Sequence, residues 1–326
     1  MRYTVTEENL ANLGSYWTDA KYQLNWSSVF VCPGWLQVWW QVFGSGAELF
    51  LRAVRQSEEI IGIAPLLIQE QTVSFLGSAD ICDYLDFIIT PGKERDFFNT
   101  LLDDLKDKGI NHLDLKSVRS NATMLTYLTT VAQDRCYEVL CTTEDVSLEM
   151  DLPSTWDEYL AVLTAKQRHE VKRKLRRLSE AGTVDYRFVT DRAAVHDVMD
   201  NFLKMFTESR QDKAAFMTDR RETFFRLLAD TMAESELLRL GILELDKKTA
   251  AMIMCFDYND CVYLYNSGYD PEYNYISAGL LSKVLGIKDS IQRGRKRFDF
   301  LKGAEAYKYH LGGREVPISR CQITIK

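Results

Sequence analysis

The chain has 326 residues, a net charge of −7 and 46% hydrophobic residues. This length allows two domains of ordinary size, each with its own core, and the composition is typical of a soluble globular protein. The longest apolar run, residues 60–68, contains a Gly and a Pro and is shorter than the roughly 20 residues of a membrane helix. Residues 1–10 contain no apolar signal segment, so the sequence predicts a cytoplasmic protein. The negative charge disfavours nonspecific binding to DNA.

The cysteines and histidines form no recognisable metal or disulfide pattern. Seven cysteines include no CxxC pair, and their odd number argues against a disulfide framework. Four histidines lack the HxxxH and HExxH spacings of zinc sites. We therefore expect mostly buried thiols and no bound metal.

The first half of the chain predicts a mixed α/β unit. Its β-rich runs 49–56 and 60–70 flank three polar residues, which is typical of a hairpin. The further predicted elements are strands at 71–77 and 83–90, a helix at 94–109, a strand at 112–118, a helix at about 121–135 and a strand to about 150.

The second half repeats this order after two predicted helices over about 194–235. The repeated elements are strands at 237–246, 249–259 and 262–270, a helix at 276–294 and a strand at 297–303. The offset is 188 residues from Leu49 to Leu237 and 185 from Asp114 to Asp299. So regular an offset indicates an internal duplication.

The boundary between the copies is predicted near Pro153, where Ser154 or Thr155 suits the N-cap of a helix. We therefore expect domains at 1–153 and 154–326.

This order of elements resembles the GNAT acyltransferase fold, here in tandem. Specific segments look like the CelD-like acetyltransferases associated with polysaccharide biosynthesis, which are relatives of the Fem-type transferases that build peptidoglycan bridges. The segments are WLQVWWQVFG (35–44), IAPLLI (63–68), FLGSADICDYLDF (75–87), QRHEVKRKLRR (167–177), YNSGYDPEY (265–273), SAGLL (277–281) and DFLKGAEAYK (299–308). The resemblance implies an α/β (α+β mixed sheet) fold of two GNAT-like domains and an acyl-CoA donor such as acetyl-CoA.

DFLKGAEAYK is the only predicted reactive cluster, because the first copy keeps its aspartate but not its other polar groups. Aligned on that aspartate, the first copy has Ser120, Ala122 and Thr123 in place of Glu305, Tyr307 and Lys308. We therefore expect the reaction centre in the second half, with Asp299, Glu305, Tyr307 and Lys308 as catalytic candidates.

Each catalytic candidate also has a structural alternative. Tyr307 stands where many GNAT enzymes keep a tyrosine that protonates the departing thiolate, but it could simply pack. Lys308 could neutralise developing charge or lie on the surface. Glu305 could accept a proton from the acceptor or be a solvated helix-start acid. Asp299 is favoured as an architectural acceptor, because Asp114 repeats it in the first copy.

The donor site is predicted at Ser277, Ala278 and Gly279, where the second-half helix begins. In acyl-CoA-binding members of the superfamily, a Q/R-x-x-G-x-G/A loop places backbone N–H groups against the pyrophosphate. Only Ser277 and Gly279 suit that role here.

Acceptor contacts are predicted in a basic segment and in an acidic one. The basic segment carries Lys166, Arg168, Lys172, Arg173, Lys174, Arg176 and Arg177. Its Arg168 and Arg173 are candidate contacts for an anionic acceptor or tRNA, with a solvated helix face as the alternative.

The acidic group contains Asp83, Tyr84 and Asp86, which could hold an acceptor amine or hydroxyl or could form turns. Arg210 matches a basic position of the family pattern, and its role is open.

These features together predict an acyltransferase that transfers acetyl from acetyl-CoA to an amine or hydroxyl of a polysaccharide or cell-envelope precursor. Direct attack is expected, because no Ser or Cys is paired with a His in a recognisable dyad. A Fem-type aminoacyl-tRNA-dependent transferase is the nearest alternative. A non-catalytic binding subunit of a polysaccharide assembly complex is another.

Overall fold

The computed structural model describes residues 3–326. The chain forms two compact units: unit 1 runs to Val146 and also includes Val316–Lys326, whereas unit 2 comprises Ser147–Glu315. These units differ from the predicted limits of 1–153 and 154–326 at both ends. The reason is strand pairing, since the last strand of each half of the sequence pairs with elements from the other half. The division into two separate domains stays a prediction.

Unit 1 is a mixed sheet with helices. Its elements are β1 (Tyr3–Glu7), α1 (Leu10–Thr18), α2 (Pro33–Phe43), β2 (Glu48–Gln56), β3 (Glu59–Gln69), β4 (Thr72–Phe75), β5 (Ile88–Ile89), α3 (Glu94–Asp107), β6 (His112–Arg119), a π-helical turn (Met124–Leu128), α4 (Thr129–Asp134) and the first part of β7 (Glu138–Asp151). A short 3₁₀ turn at Val29–Val31 precedes α2. The strand order is β1-β2-β3-β4-β6, and the C-terminal strand then pairs with β6.

Unit 2 repeats this plan after additional helices. Its elements are the end of β7, α5 (Trp156–Val162), α6 (Ala165–Ala181), β8 (Val184–Val189), α7 (Arg192–Ser209), α8 (Gln211–Phe216), α9 (Asp219–Glu234), β9 (Leu238–Leu245), β10 (Lys248–Tyr258), β11 (Cys261–Tyr269), a 3₁₀ turn (Pro271–Ile276), α10 (Ala278–Gln292), β12 (Arg297–Lys302), α11 (Ala306–His310) and the start of β13 (Arg314–Thr324). The strand order is β7-β12-β11-β10-β9-β8. The predicted α/β fold with a mixed sheet is confirmed.

The repeat is visible in backbone details as well as in element order. Gly109 and Gly294 follow α3 and α10 with the same φ of 72°, a left-handed value that glycine adopts without a Cβ penalty. A β-bulge interrupts β6 and β12 shortly after Asp114 and Asp299. The predicted N-cap at the start of the second half is confirmed for Thr155, whose side chain forms a capping box with Glu158.

Three predictions of local structure are wrong. The segment 83–90 is a strand only at Ile88–Ile89, because residues before it serve as a loop. Three helices, α7, α8 and α9, replace the two predicted over about 194–235. The third error concerns a disulfide that joins Cys141 to Cys321. Four other cysteines are buried thiols, as expected; they are Cys32, Cys82, Cys255 and Cys261.

None of the helices in residues 3–326 combines the length and apolar composition needed to cross a bilayer. The same residues contain no group of three or more His, Cys, Asp or Glu side chains placed to hold a metal ion.

Candidate functional site

The central feature of unit 2 is the divergence of two parallel strands. β11 and β12 pair only from Cys261 to Tyr263 on β11 and from Arg297 to Asp299 on β12. On its other side β11 stays paired with β10 as far as Tyr269, with Tyr265 as the extra residue of a bulge. Within residues 3–326 the two strands form no pair beyond Tyr263 and Asp299, and a ligand that enters between diverging strands can bind backbone groups there.

Helix α7 packs against β11 on one side of this region. A Cβ added to Gly268 would lie 2.5 Å from the backbone of Met205 and Phe206, so only a glycine permits this approach of helix and strand. The chain then turns at Arg210 into α8, where the Lys213 ammonium donates to the carbonyl oxygen of Ser267. The close packing thus places a lysine at the diverging part of β11.

A second lysine reaches the same region from α10. Lys283 is 7% exposed, and its Nζ donates to the carbonyl oxygen of Gly279 at 2.6 Å. The same Nζ lies 5.1 Å from the centre of the Tyr307 ring. Burial, together with the charge of Lys213, lowers the pKa of Lys283 to about 7. Burial also lowers the pKa of Lys213 to about 8. Both lysines can therefore exchange protons near neutral pH.

Tyr307 lies beside these lysines, half-buried on α11. Its ring packs edge-on against Phe300 with a centroid distance of 6.4 Å. Its hydroxyl makes no hydrogen bond within residues 3–326, although burial and then Glu305 raise the pKa of the phenol well above 10. Tyr307 therefore keeps its proton at neutral pH and has a donor available for a ligand.

The Lys308 side chain is bonded to the backbone and to Glu305. Lys308 is 2% exposed, and its ammonium donates to the carbonyl oxygens of Leu301, Lys302 and Gly303 at 2.9, 2.6 and 3.0 Å. Glu305 Oε2 lies 2.9 Å from the same ammonium. The surface alternative for Lys308 is wrong, and these four partners favour a structural role in the turn after β12. Its catalytic role stays a prediction.

Asp299 has the buried position expected of an architectural acceptor. Its side chain is inaccessible to solvent, and Oδ1 accepts the N–H of Leu301 at 2.8 Å across the bulge of β12. Asp114 in unit 1 instead binds the Arg320 guanidinium at 2.6 and 2.9 Å. The repeated aspartates thus both have partners, but the partners differ.

The predicted donor site lies at the start of α10. Ser277 adopts a left-handed conformation with φ 62°, and its side chain does not cap the N–H groups of the first turn. Lys174 of α6 donates to Ser277 Oγ at 2.6 Å. Ala278 is buried, whereas Gly279 lies under the Tyr269 ring, which a Cβ would approach to 2.6 Å. An uncapped helix start with a nearby cation suits an anion.

The arginines of the basic helix α6 are held within unit 2. Arg168 donates to the carbonyl oxygens of Leu160 and Leu163 at 3.2 and 3.3 Å, so it secures the end of α5. Arg173 pairs with Glu170 at 2.7 Å. These contacts favour structural roles for both predicted acceptor residues. Binding of an acceptor by either arginine stays a prediction.

The predicted acidic group lies in unit 1. Asp86 is 5% exposed and accepts the N–H groups of Phe87, Thr123 and Met124, which caps the helical turn that begins at Met124. Burial raises its pKa to about 6. Asp83 is half-buried, and the buried Tyr84 packs against Phe30 and under the Arg119 guanidinium. The contacts of Asp86 and Tyr84 therefore favour structural roles for both residues.

Arg210 is exposed and pairs with Asp212 through two contacts of 2.9 and 2.8 Å. The structure thus gathers Glu305, Tyr307 and Lys308 around α11 and brings Lys213 and Lys283 to them. Sequence reasoning missed both of these lysines. Lys283 had a signal, since it follows Leu281 and precedes Val284 and Ile287 on an apolar helix face, whereas Lys213 had none.

The comparisons with known proteins agree with this fold. Residues 165–309 match the family described as acetyltransferase (GNAT) domain. No significant match was found among curated proteins. FemX is similar in structure, with a TM-score of 0.66, 11% identity and coverage of 98% of this chain and 96% of that one. A conserved protein of unknown function from Bacteroides thetaiotaomicron has a TM-score of 0.62, 13% identity and coverage of 99% and 100%.

A tandem GNAT protein from the clavulanic acid biosynthesis pathway is similar over 98% of both chains, with 12% identity and a TM-score of 0.50. These identities are low, so the structural neighbours inform the fold alone. The family match falls entirely within unit 2 and includes α6, the diverging strands, both buried lysines and Tyr307. Residues 165–309 are therefore similar to the acetyltransferase (GNAT) domain family.

Proposed function

We propose that this chain transfers an acyl group from acyl-CoA, in the simplest case acetyl from acetyl-CoA, to an amine or hydroxyl of a polysaccharide or cell-envelope precursor, as CelD-like enzymes do. The observation that carries this proposal is the GNAT match over residues 165–309, which contain the diverging strands and the uncapped start of α10. The reaction centre lies in unit 2, and a cytoplasmic location is part of the proposal.

The donor binds with its phosphates at the first turn of α10. There the N–H groups that follow Ser277 and the Lys174 ammonium offer positive charge. The thioester then lies between β11 and β12, where Tyr307 can reach its sulfur.

The acceptor nitrogen or oxygen attacks the thioester carbonyl carbon, the carbon–sulfur bond breaks, and coenzyme A leaves as a thiolate. One proton leaves the acceptor and one reaches the sulfur, so the reaction is balanced without a covalent enzyme intermediate. The raised pKa of Tyr307 makes full proton transfer to a thiolate unfavourable in water. Its hydroxyl is better suited to donate a hydrogen bond to the sulfur as negative charge develops.

The donor assignment is tested by calorimetry with acetyl-CoA on the wild type, Lys174→Ala and Lys172→Ala. Lys172 is exposed on the same helix and makes no ion pair in residues 3–326, so it is a matched control. We expect Lys174→Ala to weaken binding about tenfold and Lys172→Ala to have little effect. Gly279→Asp is a poor test, because any side chain would collide with Tyr269.

Absence of acetyl-CoA binding at millimolar ligand would remove the proposed donor. The Fem-type alternative is favoured by one observation, the similarity in fold to FemX over nearly the whole chain. Titration with charged tRNA is therefore the second arm of the experiment. Binding of donor without turnover of any acceptor would support the non-catalytic alternative.

A further inference from the structure

Two lysines of unit 2, one buried and one half-buried, have fewer hydrogen-bond acceptors than an ammonium group can use. Lys283 is 7% exposed and has one hydrogen-bond acceptor in residues 3–326, the carbonyl oxygen of Gly279. Lys213 is half-buried and within the same range also has one, the carbonyl oxygen of Ser267. An ammonium group carries three N–H donors, so two donors on each lysine lack a protein acceptor.

Lys308 provides an internal comparison. It is buried like Lys283, but three carbonyl oxygens and Glu305 surround its ammonium. Unit 2 can therefore supply a buried lysine near this place with an acceptor for each of its three N–H donors. It leaves Lys213 and Lys283 with only an aromatic face each in addition, Phe206 at 4.8 Å and Tyr307 at 5.1 Å.

Within residues 3–326, no acidic side chain forms an ion pair with either lysine. Lys283 faces the charges of Lys213, Glu305 and Lys308 and the thiol of Cys255, and Lys213 faces Arg210, Asp212 and Glu305. Glu305 lies 2.9 Å from Lys308, and Asp212 lies 2.8 Å from Arg210. Burial raises the pKa of the Cys255 thiol, which keeps it neutral. The nearby acids are thus paired with other cations, and an anion bound at the two lysines would relieve their mutual repulsion and supply hydrogen-bond acceptors.

We propose that Lys213 and Lys283 form a subsite for an anionic oxygen group, a carboxylate or a phosphate, carried by the acceptor. This inference rests on the proposed function and assigns the acceptor's charge to these two lysines rather than to Arg168 and Arg173 of α6. Lys283 Nζ lies 5.1 Å from the centre of the Tyr307 ring, so an acceptor held here would have its anionic group near the phenol that is proposed to reach the thioester sulfur.

Binding at this subsite takes up protons. At pH 8, Lys283 is mostly neutral and Lys213 is about half protonated, because their pKa values are about 7 and about 8. A bound anion favours the charged form of both, so roughly one to one and a half protons enter with it at pH 8, and few enter at pH 6.

The experiment is calorimetry of the full chain with inorganic phosphate and with acetate, each at pH 6 and pH 8. Two buffers of different ionisation enthalpy report the protons taken up. The variants are Lys283→Met and Lys213→Met, with Lys247→Met as control, since Lys247 is exposed in the turn between β9 and β10. We expect millimolar binding to the wild type and the control, proton uptake at pH 8, and at least tenfold weaker binding to either test variant.

Acetyl-CoA binding is measured in parallel to separate this inference from the proposed function. Retained acetyl-CoA affinity in the test variants, together with lost phosphate or acetate binding, supports an acceptor subsite. Competition between saturating acetyl-CoA and the small anion would assign the lysines to the donor and overturn the inference. Anion affinity unchanged in Lys283→Met and Lys213→Met, or no binding up to about 100 mM, would overturn it as well.

Discussion

Replacing Lys283 by Met should make the protein more stable at neutral pH, although the lysine is buried and hydrogen-bonded. Burial lowers its pKa from 10.5 to about 7 in the folded state, so between these values the unfolded chain binds a proton that the folded chain lacks. Stability of the wild type therefore rises as pH increases from about 7 towards 10.5. The loss of folding stability caused by burying the Lys283 charge is complete below about pH 7 and absent above about pH 10.5.

The size of the effect follows from this difference in pKa. One pKa unit is about 1.4 kcal/mol, so a fall from 10.5 to about 7 corresponds to about 5 kcal/mol at low pH and to slightly less at pH 7, as an upper limit. The variant loses the bond to the carbonyl oxygen of Gly279, which offsets about 1 kcal/mol. We expect a net gain of about 1 to 3 kcal/mol, or several degrees in Tm.

The assay is urea unfolding of wild type and variant at pH 7 and pH 10, with Lys308→Met as control. Lys308 has three carbonyl oxygens and Glu305 as partners, so its replacement leaves buried acceptors unpaired and should destabilise by about 2 to 5 kcal/mol. The two buried lysines should thus respond with opposite signs. A loss of stability in Lys283→Met that is equal at both pH values would refute the reasoning.

Two further substitutions separate structure from chemistry. Asp299→Ala removes the acceptor of the buried Leu301 N–H, so chemical denaturation should show a loss of roughly 1 to 3 kcal/mol, and unchanged stability would contradict the architectural role. Tyr307→Phe loses no hydrogen bond within residues 3–326 and should keep stability within about 0.5 kcal/mol while slowing acyl transfer by about 10²-fold. A full rate of transfer in that variant would place the reaction centre elsewhere.

The sequence by itself determined the mixed α/β fold, the repeat and most element ends, because these depend on short-range patterns. Gly109 and Gly294 follow the ends of α3 and α10 at positions with positive φ. Thr155 caps α5 through a capping box with Glu158, three residues further along the chain. The placement of the reactive cluster in the second copy stays a prediction, and it required only a comparison of two aligned segments.

Only the tertiary structure shows which polar side chains are hydrogen-bonded within the fold and which keep donors for a ligand. Lys308 and Asp86 lie in segments for which the sequence predicts a catalytic or acceptor-binding role. In the structure, however, their side chains bond to backbone groups that packing brings close to them. Lys213 and Lys283 are 70 residues apart and meet only because α8 and α10 both reach the end of β11. Burial of a charge depends on such long-range packing, and the local periodicity of a sequence does not contain it.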